Sequence, residues 1–478
     1  MSLTKVSYSM ITGAPVNVQD FGAKGDGVTD DTAAIQAAIV FCENNILPLY
    51  FPSNLVSQFY KTTAPLVVSK PLTMTGESSR NVTIVAVGLT AGQFVLDIDG
   101  TAFGTYQNGK FGGFTLFAGN GNCMRVKNVS LSEFDDIGLR NCVQGIVYTG
   151  TRCFSNVFRR IELITALSGN TFWMENHTGG GHHSFYDCTF GGNTGVSINT
   201  NTATDAVNFY SCNFEQCTVN SLFCGGTVAG LGFFGCRTEG CNGDDFQINP
   251  SVGNFVSGLI VEGCAFSASD AGGSPRIVLG GTGGEVRGFN INANYVGHGG
   301  NNFSSFLVRL NGDGESGTIA NNFLDGTLAN CAPVNVLRSN VAVYNNEANN
   351  GKFSPGFSLT DGTWIPTDVS GAGLTLNASG TYTKVGRLVF WQVVITYPVT
   401  ANGANAKFSL PTGLAPEGGS GAQGRSGAGG PVTDSLVVGA LQFADGVGLY
   451  KTGLISATNA DMSGKEIYIG GTYYTVGV

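Results

Sequence analysis

From His183 to Cys241 the chain repeats one short apolar–polar phrase at a fixed interval. Phe185-Tyr186-Asp187-Cys188 returns as Phe209-Tyr210-Ser211-Cys212 and again as Phe233-Phe234-Gly235-Cys236, 24 residues apart each time. Glu215 and Cys217 return after the same step as Glu239 and Cys241. Looser copies flank these, at Phe134-Asp135-Asp136-Ile137, Phe158-Arg159-Arg160-Ile161, Val261-Glu262-Gly263-Cys264, Ile291-Asn292-Ala293-Asn294, Ile319-Ala320-Asn321-Asn322 and Val343-Tyr344-Asn345-Asn346. A repeat of this length, built of short alternating apolar runs, marks a solenoid. Phe, Val, Ile and Cys alternating with polar residues make each unit a strand and a turn. The pattern predicts an all-β chain whose body is a parallel β-helix, one coil per repeat.

Successive side chains on a strand face opposite ways. The Phe position and the Cys/Ile/Asn position three residues on differ in parity, so a bend or bulge is expected between them. The column Ile137, Ile161, Cys188, Cys212, Cys236, Cys264, Asn294, Asn322, Asn346 should then point inward. Its change from Cys to Asn suits a stacked interior ladder, because Asn amides can hydrogen-bond from coil to coil. The outward neighbours are where chemistry is to be sought.

Before the coils, Val16 to Ile39 reads as a strand, a glycine-punctuated turn and a helix. The helical stretch is Thr32 to Glu43, with Asp30 or Asp31 as the N-cap and Ile35, Ala38 and Ile39 as the apolar stripe. Its expected task is to plug the open end of the solenoid. Strands follow at Leu66-Val67-Val68, Leu72-Thr73-Met74 and Val82-Thr83-Ile84-Val85. Regular coils run from about 128 to 350, and a break falls near Gly351 to Gly362. After the break the texture becomes hairpin-rich, as in Gly380 to Ile395, Lys407 to Gly413 and Glu466 to Tyr474. Gly418 to Gly430 reads as a long Gly/Ser/Ala loop. The expected division is a neck at 1–14, a β-helix with its cap at 15–352, and a C-terminal β-sandwich at 353–478.

Composition narrows this picture. The 478 residues include 72 Gly and only 12% charged residues, which suits a turn-rich β protein. A net charge of −9, with no Lys between Lys127 and Lys352, argues against a nucleic-acid partner. Met1 to Met10 lacks the apolar core of a secretory signal, and no apolar run approaches the roughly 20 residues that span a bilayer. Of the 12 Cys, Cys188, Cys212, Cys236 and Cys264 share one column, which predicts reduced packing cysteines. Zinc-type Cys spacing is absent, and neither a metal nor a cofactor is expected.

Val16-Asn17-Val18-Gln19-Asp20-Phe21-Gly22-Ala23-Lys24-Gly25-Asp26-Gly27-Val28-Thr29-Asp30-Asp31-Thr32-Ala33-Ala34-Ile35 resembles the N-terminal signature of the pectate-lyase-like β-helix superfamily, in the form common to phage tailspikes. Lys5 to Pro15 is also similar to tailspike sequence, and the end of the chain resembles the C-terminal β-sandwich modules of phage tail proteins. These resemblances imply a right-handed parallel β-helix assembled as a homotrimer on a phage tail. They imply partnership with other tail proteins and with bacterial surface polysaccharide, capsule or O-antigen, outside the cell. The C-terminal modules imply trimer formation, sugar binding or both. Tailspikes share no catalytic motif that can be transferred here, so the site has to come from the coils.

Glu215 and Glu239 share a coil position, so they should lie roughly 4.8 Å apart at the backbone. Such a carboxylate pair suits acid/base or nucleophilic work on a glycosidic bond, at the short separation of retaining enzymes. Asp187 paired with Glu239 across two coils would suit the longer, inverting separation. Tyr186, Tyr210 and Phe234 form an outward aromatic column for stacking on sugar faces. Arg237, Arg160 and Glu162 are expected on the same wall, and His182 and His183 beside a Gly-rich loop as binding groups or as a lyase base. The bland alternative for these charges is a solvated Glu–Arg ladder worth little. Gly243-Asp244-Asp245 and Gly297-His298-Gly299 resemble, poorly, motifs of polygalacturonase-like glycosidases, whose Arg-Ile-Lys motif is missing. The expected activity is hydrolysis of a polysaccharide, with a lyase or a non-enzymatic glycan-binding fibre on the same fold as rivals.

Overall fold

The computed structural model of the chain describes residues 13–53, 59–104, 106–163, 169–177, 180–199, 204–241, 243–268, 276–281, 283–298, 306–312, 314–325, 332–335, 340–348, 351–353, 359–385, 388–411, 439–443, 446–451 and 455–474. Residues 1–12 of the expected neck, Gly299 and the Gly418–Gly430 stretch lie outside these. The chain divides into two compact units, with the boundary between Phe353 and Ser354.

The first unit is the parallel solenoid that the repeat requires. One register runs unbroken through Val16, Leu49, Met74, Phe111, Phe134, Phe158, Phe185, Phe209, Phe233, Val261, Ile291, Ile319 and Val343, each paired in parallel with the same position on the next coil. Phe134, Phe158, Phe185 and Phe209 stack ring on ring with centroids 4.8, 4.8 and 4.7 Å apart. Those distances match the roughly 4.8 Å between neighbouring strands. A second inward register runs from Leu66 through Leu96, Met124, Ile146, Phe172, Val196, Leu222, Phe246, Ile277 and Val308 to Val334. Each such apolar side chain, once buried, contributes about 1.5–3 kcal/mol, and further inward registers, such as that of Phe190, Phe214, Phe266, Val296 and Leu324, complete the core.

The parity problem is solved by a corner. Asp136, Arg160, Asp187, Ser211, Ala293, Asn321 and Asn345 adopt left-handed backbone, with φ between 46° and 55°, and Gly113, Gly235 and Gly263 take the same position at φ 71°, 60° and 63°. A left-handed residue costs a non-glycine about 1–2 kcal/mol. The ladder offsets this, because the corner N–H donates to the next coil: Asp187 to the Tyr210 carbonyl at 3.1 Å and Ser211 to that of Phe234 at 2.9 Å.

Immediately after the corner comes the inward Cys/Asn column, fully buried as expected. Its two residue types do one job. Cys188, Cys212, Cys236 and Cys264 point their thiols at the carbonyls of Phe158, Phe185, Phe209 and Phe233 on the preceding coil, at 3.6, 3.6, 3.4 and 3.6 Å. Asn294, Asn322 and Asn346 donate to the matching carbonyls of Val261, Ile291 and Ile319 at 2.9, 3.1 and 3.0 Å. The Asn residues also link to one another, Asn294 donating to Asn322 at 2.9 Å and Asn322 to Asn346 at 2.8 Å.

The capping helix spans Thr32–Asn45, slightly beyond the expected end, and buries Ile35, Ala38, Ile39 and Cys42. It closes the solenoid by serving the backbone of the first coils. Gln36 both accepts from Val67 N and donates to Val67 O, each at 2.9 Å, and Glu43 accepts from Ser69 N and Lys70 N at 2.6 and 2.9 Å. The two N-cap candidates divide the work. Asp30 accepts from Thr32 N at 3.0 Å, while buried Asp31 turns back to take Lys24 N and Gly25 N at 2.7 and 2.9 Å. At the far end Gly351–Phe353 pairs antiparallel with Asn346–Ala348, and the parallel ladder stops.

The second unit is antiparallel. Leu359–Trp364, Asn377–Val385, Leu388–Thr396 and Glu466–Tyr474 form one sheet. Lys407–Phe408, Gly439–Phe443 and Gly446–Lys451 form another, extended by Ile455–Ser456. Both contribute to one core that includes Trp391, Val393, Ile395, Phe408, Leu449 and Ile467. Among the described residues no helix is long and apolar enough to cross a membrane.

Two residues singled out in the sequence prove to be interior. Asp245 does not present an acid to solvent. It is fully buried and ion-paired with Arg276, also fully buried, at 3.2 Å, and its other oxygen accepts from Ser221 at 3.1 Å. Burial pushes its carboxyl up to about 6, with the Arg276 charge and the Ser221 hydroxyl pulling the other way. His183, expected as a binding group, is also fully buried, because it occupies the inward position shared by Val207 and Leu231. There its ring meets Tyr148 edge-on at 5.0 Å.

Replacing Asn322 by Ala removes bonds to Asn294, Asn346 and the Ile291 carbonyl at once. It should lower the unfolding free energy by roughly 2–4 kcal/mol, read as a lower denaturant midpoint; an unchanged midpoint would show that the amide ladder adds nothing. Asp245→Asn deprives buried Arg276 of its carboxylate and is expected to cost about 3–5 kcal/mol. A stable Asp245→Asn protein that loses only activity would return this residue to the list of catalytic candidates.

Candidate functional site

The corner sets the outer wall as firmly as the core. Before it, the outward register reads Gly112, Asp135, Arg159, Tyr186, Tyr210, Phe234, Glu262 and Asn292. After it, a second outward register reads Gly138, Glu162, Thr189, Asn213, Arg237, Ala265, Tyr295 and Phe323. Glu215 and Glu239 lie two residues beyond Asn213 and Arg237 and pair directly with one another. Side chains two apart on a strand share a face, so Asn213, Glu215, Arg237 and Glu239 make a compact polar block. Within it Asn213 Nδ2 donates to Glu215 Oε2 at 3.0 Å, and Arg237 Nη2 lies 2.9 Å from Glu239 Oε2. Glu239 and Arg237 are exposed and Glu215 is half-buried.

The aromatic column is present, but its rings face each other. Tyr186 and Tyr210 stack at 4.9 Å and 11°, Tyr210 and Phe234 at 5.1 Å and 13°. The Arg159 guanidinium lies 4.4 Å from the Tyr186 ring centre and closes that end. The inner ring faces are thus largely covered, and this column offers solvent its edges and phenolic hydroxyls instead of the stacking faces that the sequence suggests. Its uncovered face is that of Phe234, turned towards Glu262.

The remaining candidates fall in separate places. Asp187 is exposed at the corner, in the position of Ser211 and Gly235, four residues short of the Glu215 position and around the bend. Asp187 is therefore set in a different register from the Glu215–Glu239 pair. Glu162 belongs to the Arg237 register, three coils earlier, and pairs with Arg80 at 3.4 Å. Arg160 is at the corner and pairs with Asp135 at 2.6 Å. His182 is exposed at φ 61°, in a second left-handed column with Ala206 and Gly230. Arg159 and Glu262 are wall residues that the repeat could have revealed, since each stands directly after the Phe, Val or Ile of its copy. Among the described residues no group of His, Cys, Asp and Glu is arranged to hold a metal ion.

Residues 15–240 match the family model of rhamnogalacturonase A/epimerase, pectate lyase-like. The Dettilon tailspike protein has a similar structure, with a TM-score of 0.54 at 15% identity over 96% of this chain and 94% of that one. The tailspike of Pseudomonas phage LKA1 gives 0.49 at 12% identity over 96% and 100%, and the A-module of an Azotobacter vinelandii mannuronan C-5 epimerase gives 0.43 at 14% over 68% and 99%. No curated protein matches the chain in sequence. With its continuous parallel ladders, capping helix and antiparallel C-terminal unit, the chain is a parallel β-helix protein that shares its fold with the Dettilon tailspike, and residues 15–240 match a pectate lyase-like family model.

Proposed function

We propose that the chain is the polysaccharide-binding and polysaccharide-cleaving spike of a phage tail, working as a homotrimer outside the bacterium on capsule or O-antigen. The observation that carries this reading is the direct register of Glu215 with Glu239 on the outer wall of a tailspike-like solenoid. One coil spacing, about 4.8 Å, approaches the roughly 5–5.5 Å carboxyl separation of retaining glycosidases. Arg237 on Glu239 suits that residue to be the carboxylate nucleophile, and Glu215, whose partner Asn213 is neutral, to be the proton donor. Glu215 gives its proton to the glycosidic oxygen as the bond to the anomeric carbon breaks, and Glu239 forms the new bond to that carbon. Water then releases the sugar, with Glu215 taking the proton back. Tyr186 and Tyr210 line the approach with edges and hydroxyls, and Arg237 holds hydroxyl or carboxylate groups of the polymer. Asp187, Arg160, Glu162 and His182 are outlying wall residues. The C-terminal unit serves trimer formation, sugar binding or both.

Incubation with a panel of purified capsular and O-antigen polysaccharides should shorten at least one of them, as followed by chain-length analysis. Glu215→Gln and Glu239→Gln should each slow that cleavage by about 10²–10⁴-fold while polymer binding persists. Products with ultraviolet-absorbing unsaturated ends would replace hydrolysis by elimination. Binding without any shortening would make the chain an adhesive fibre.

A further inference from the structure

The two outward registers are interrupted on the same coil. Before the corner the ring ladder Tyr186, Tyr210, Phe234 ends at Glu262. After the corner a second ring ladder, Tyr295 and Phe323, begins one coil later, and the residue facing Tyr295 on the preceding coil is Ala265. Glu262 and Ala265 belong to one coil, separated by the corner residues Gly263 and Cys264. A carboxylate and a methyl group therefore stand where the neighbouring coils carry rings and Arg237.

Tyr295 is fixed as a platform. Its ring lies parallel to Phe323, at 5.9 Å and 4°, and its hydroxyl donates to Asp325 Oδ2 at 2.9 Å. Gly297 lets the ring lie down against the strand, because a Cβ there would come within 2.6 Å of Tyr295 Cε1. Phe234 is accommodated in the same way by Gly232, where a Cβ would also meet the ring at 2.6 Å. Tyr295 remains 43% exposed, a large value for a ring so held. Phe323 covers one of its faces, and the other looks across Ala265 towards Arg237. Two coil steps, roughly 9.6 Å, separate the Arg237 and Tyr295 positions. That leaves room for one flat ring at ordinary contact distances of about 3.5–4 Å.

We propose that the slot over Ala265, bounded by Tyr295 and Arg237 with Glu262 across the corner, is a pyranose-binding subsite beside the Glu215–Glu239 pair. It rests on the polysaccharide reading above and adds to it where one sugar residue sits. The apolar face of the pyranose stacks on Tyr295, its hydroxyls reach Glu262 and Arg237, and the Ala265 methyl forms the floor. The register puts this subsite one coil from the carboxylates, so it holds a sugar next to the bond being broken.

The test uses the full chain carrying Glu215→Gln, so that polymer stays intact, with the same panel of purified polysaccharides immobilised for binding. Ala265→Phe fills the slot with a ring that continues the aromatic ladder. It should leave thermal unfolding unchanged or raised while weakening binding at least about tenfold. Tyr295→Ala should weaken binding about three- to tenfold, and Tyr295→Phe, which keeps the stacking face, by no more than about twofold. Ala265→Phe and Tyr295→Ala proteins that both bind as tightly as their parent would overturn the subsite and leave the polysaccharide reading standing. A parent chain that binds no member of the panel would instead remove that reading, and the subsite with it.

Discussion

Every coil of this solenoid has to turn a corner whose carbonyl, on the inner side, would face an apolar core. From Cys188 onward the hydrogen bond from the residue just past the bend to the preceding coil clamps the corner, whereas after Asp136 and Arg160 the side chains of Ile137 and Ile161 fill the same place by apolar packing. A thiol serves this contact in the middle coils and an amide in the later ones, and the geometry is kept while the chemistry changes. Left-handed backbone at Asp187 or Ser211 is unfavourable taken alone. It persists because the same residue's N–H is bonded forward while its neighbour's side chain is bonded back.

The clamp also explains which parts of the molecule can be read from the chain. The step of 24 residues, the parity change and the Cys-to-Asn column fix the ladder, because a coil that repeats must repeat its inner contacts. Register alone was enough to bring Glu215 and Glu239 together. Direction was harder. His183 belongs to the inward set because a second left-handed residue, at His182, precedes it, and two neighbouring histidines carry no mark of which one is turned in. Asp245 and Arg276 meet across a coil of unequal length, where no copy of the phrase lines them up. Ring orientation was not legible either, since identical spacing serves rings that face outward and rings that face each other.

The tyrosine column shows how packing redirects chemistry. Side chains one strand apart stabilise each other most when their rings overlap, and Tyr186, Tyr210 and Phe234 take that arrangement. Stacking within the column uses up the surfaces that a sugar would otherwise cover. What stays open are ends of the ladders, and two of these meet on the coil of Glu262 and Ala265. Interruption of a pattern, in a molecule made of repetition, is therefore where a ligand finds space.

Because the corner recurs with every coil, distances along the outer wall come only in whole strides. Insertion or loss of a complete coil between Glu239 and Tyr295 would move the tyrosine by one stride and leave the interior intact, since the incoming turn would bring its own clamp. A lineage of such proteins could thus change the length of saccharide it measures without redesigning its core, in the way a ruler is lengthened by adding a mark.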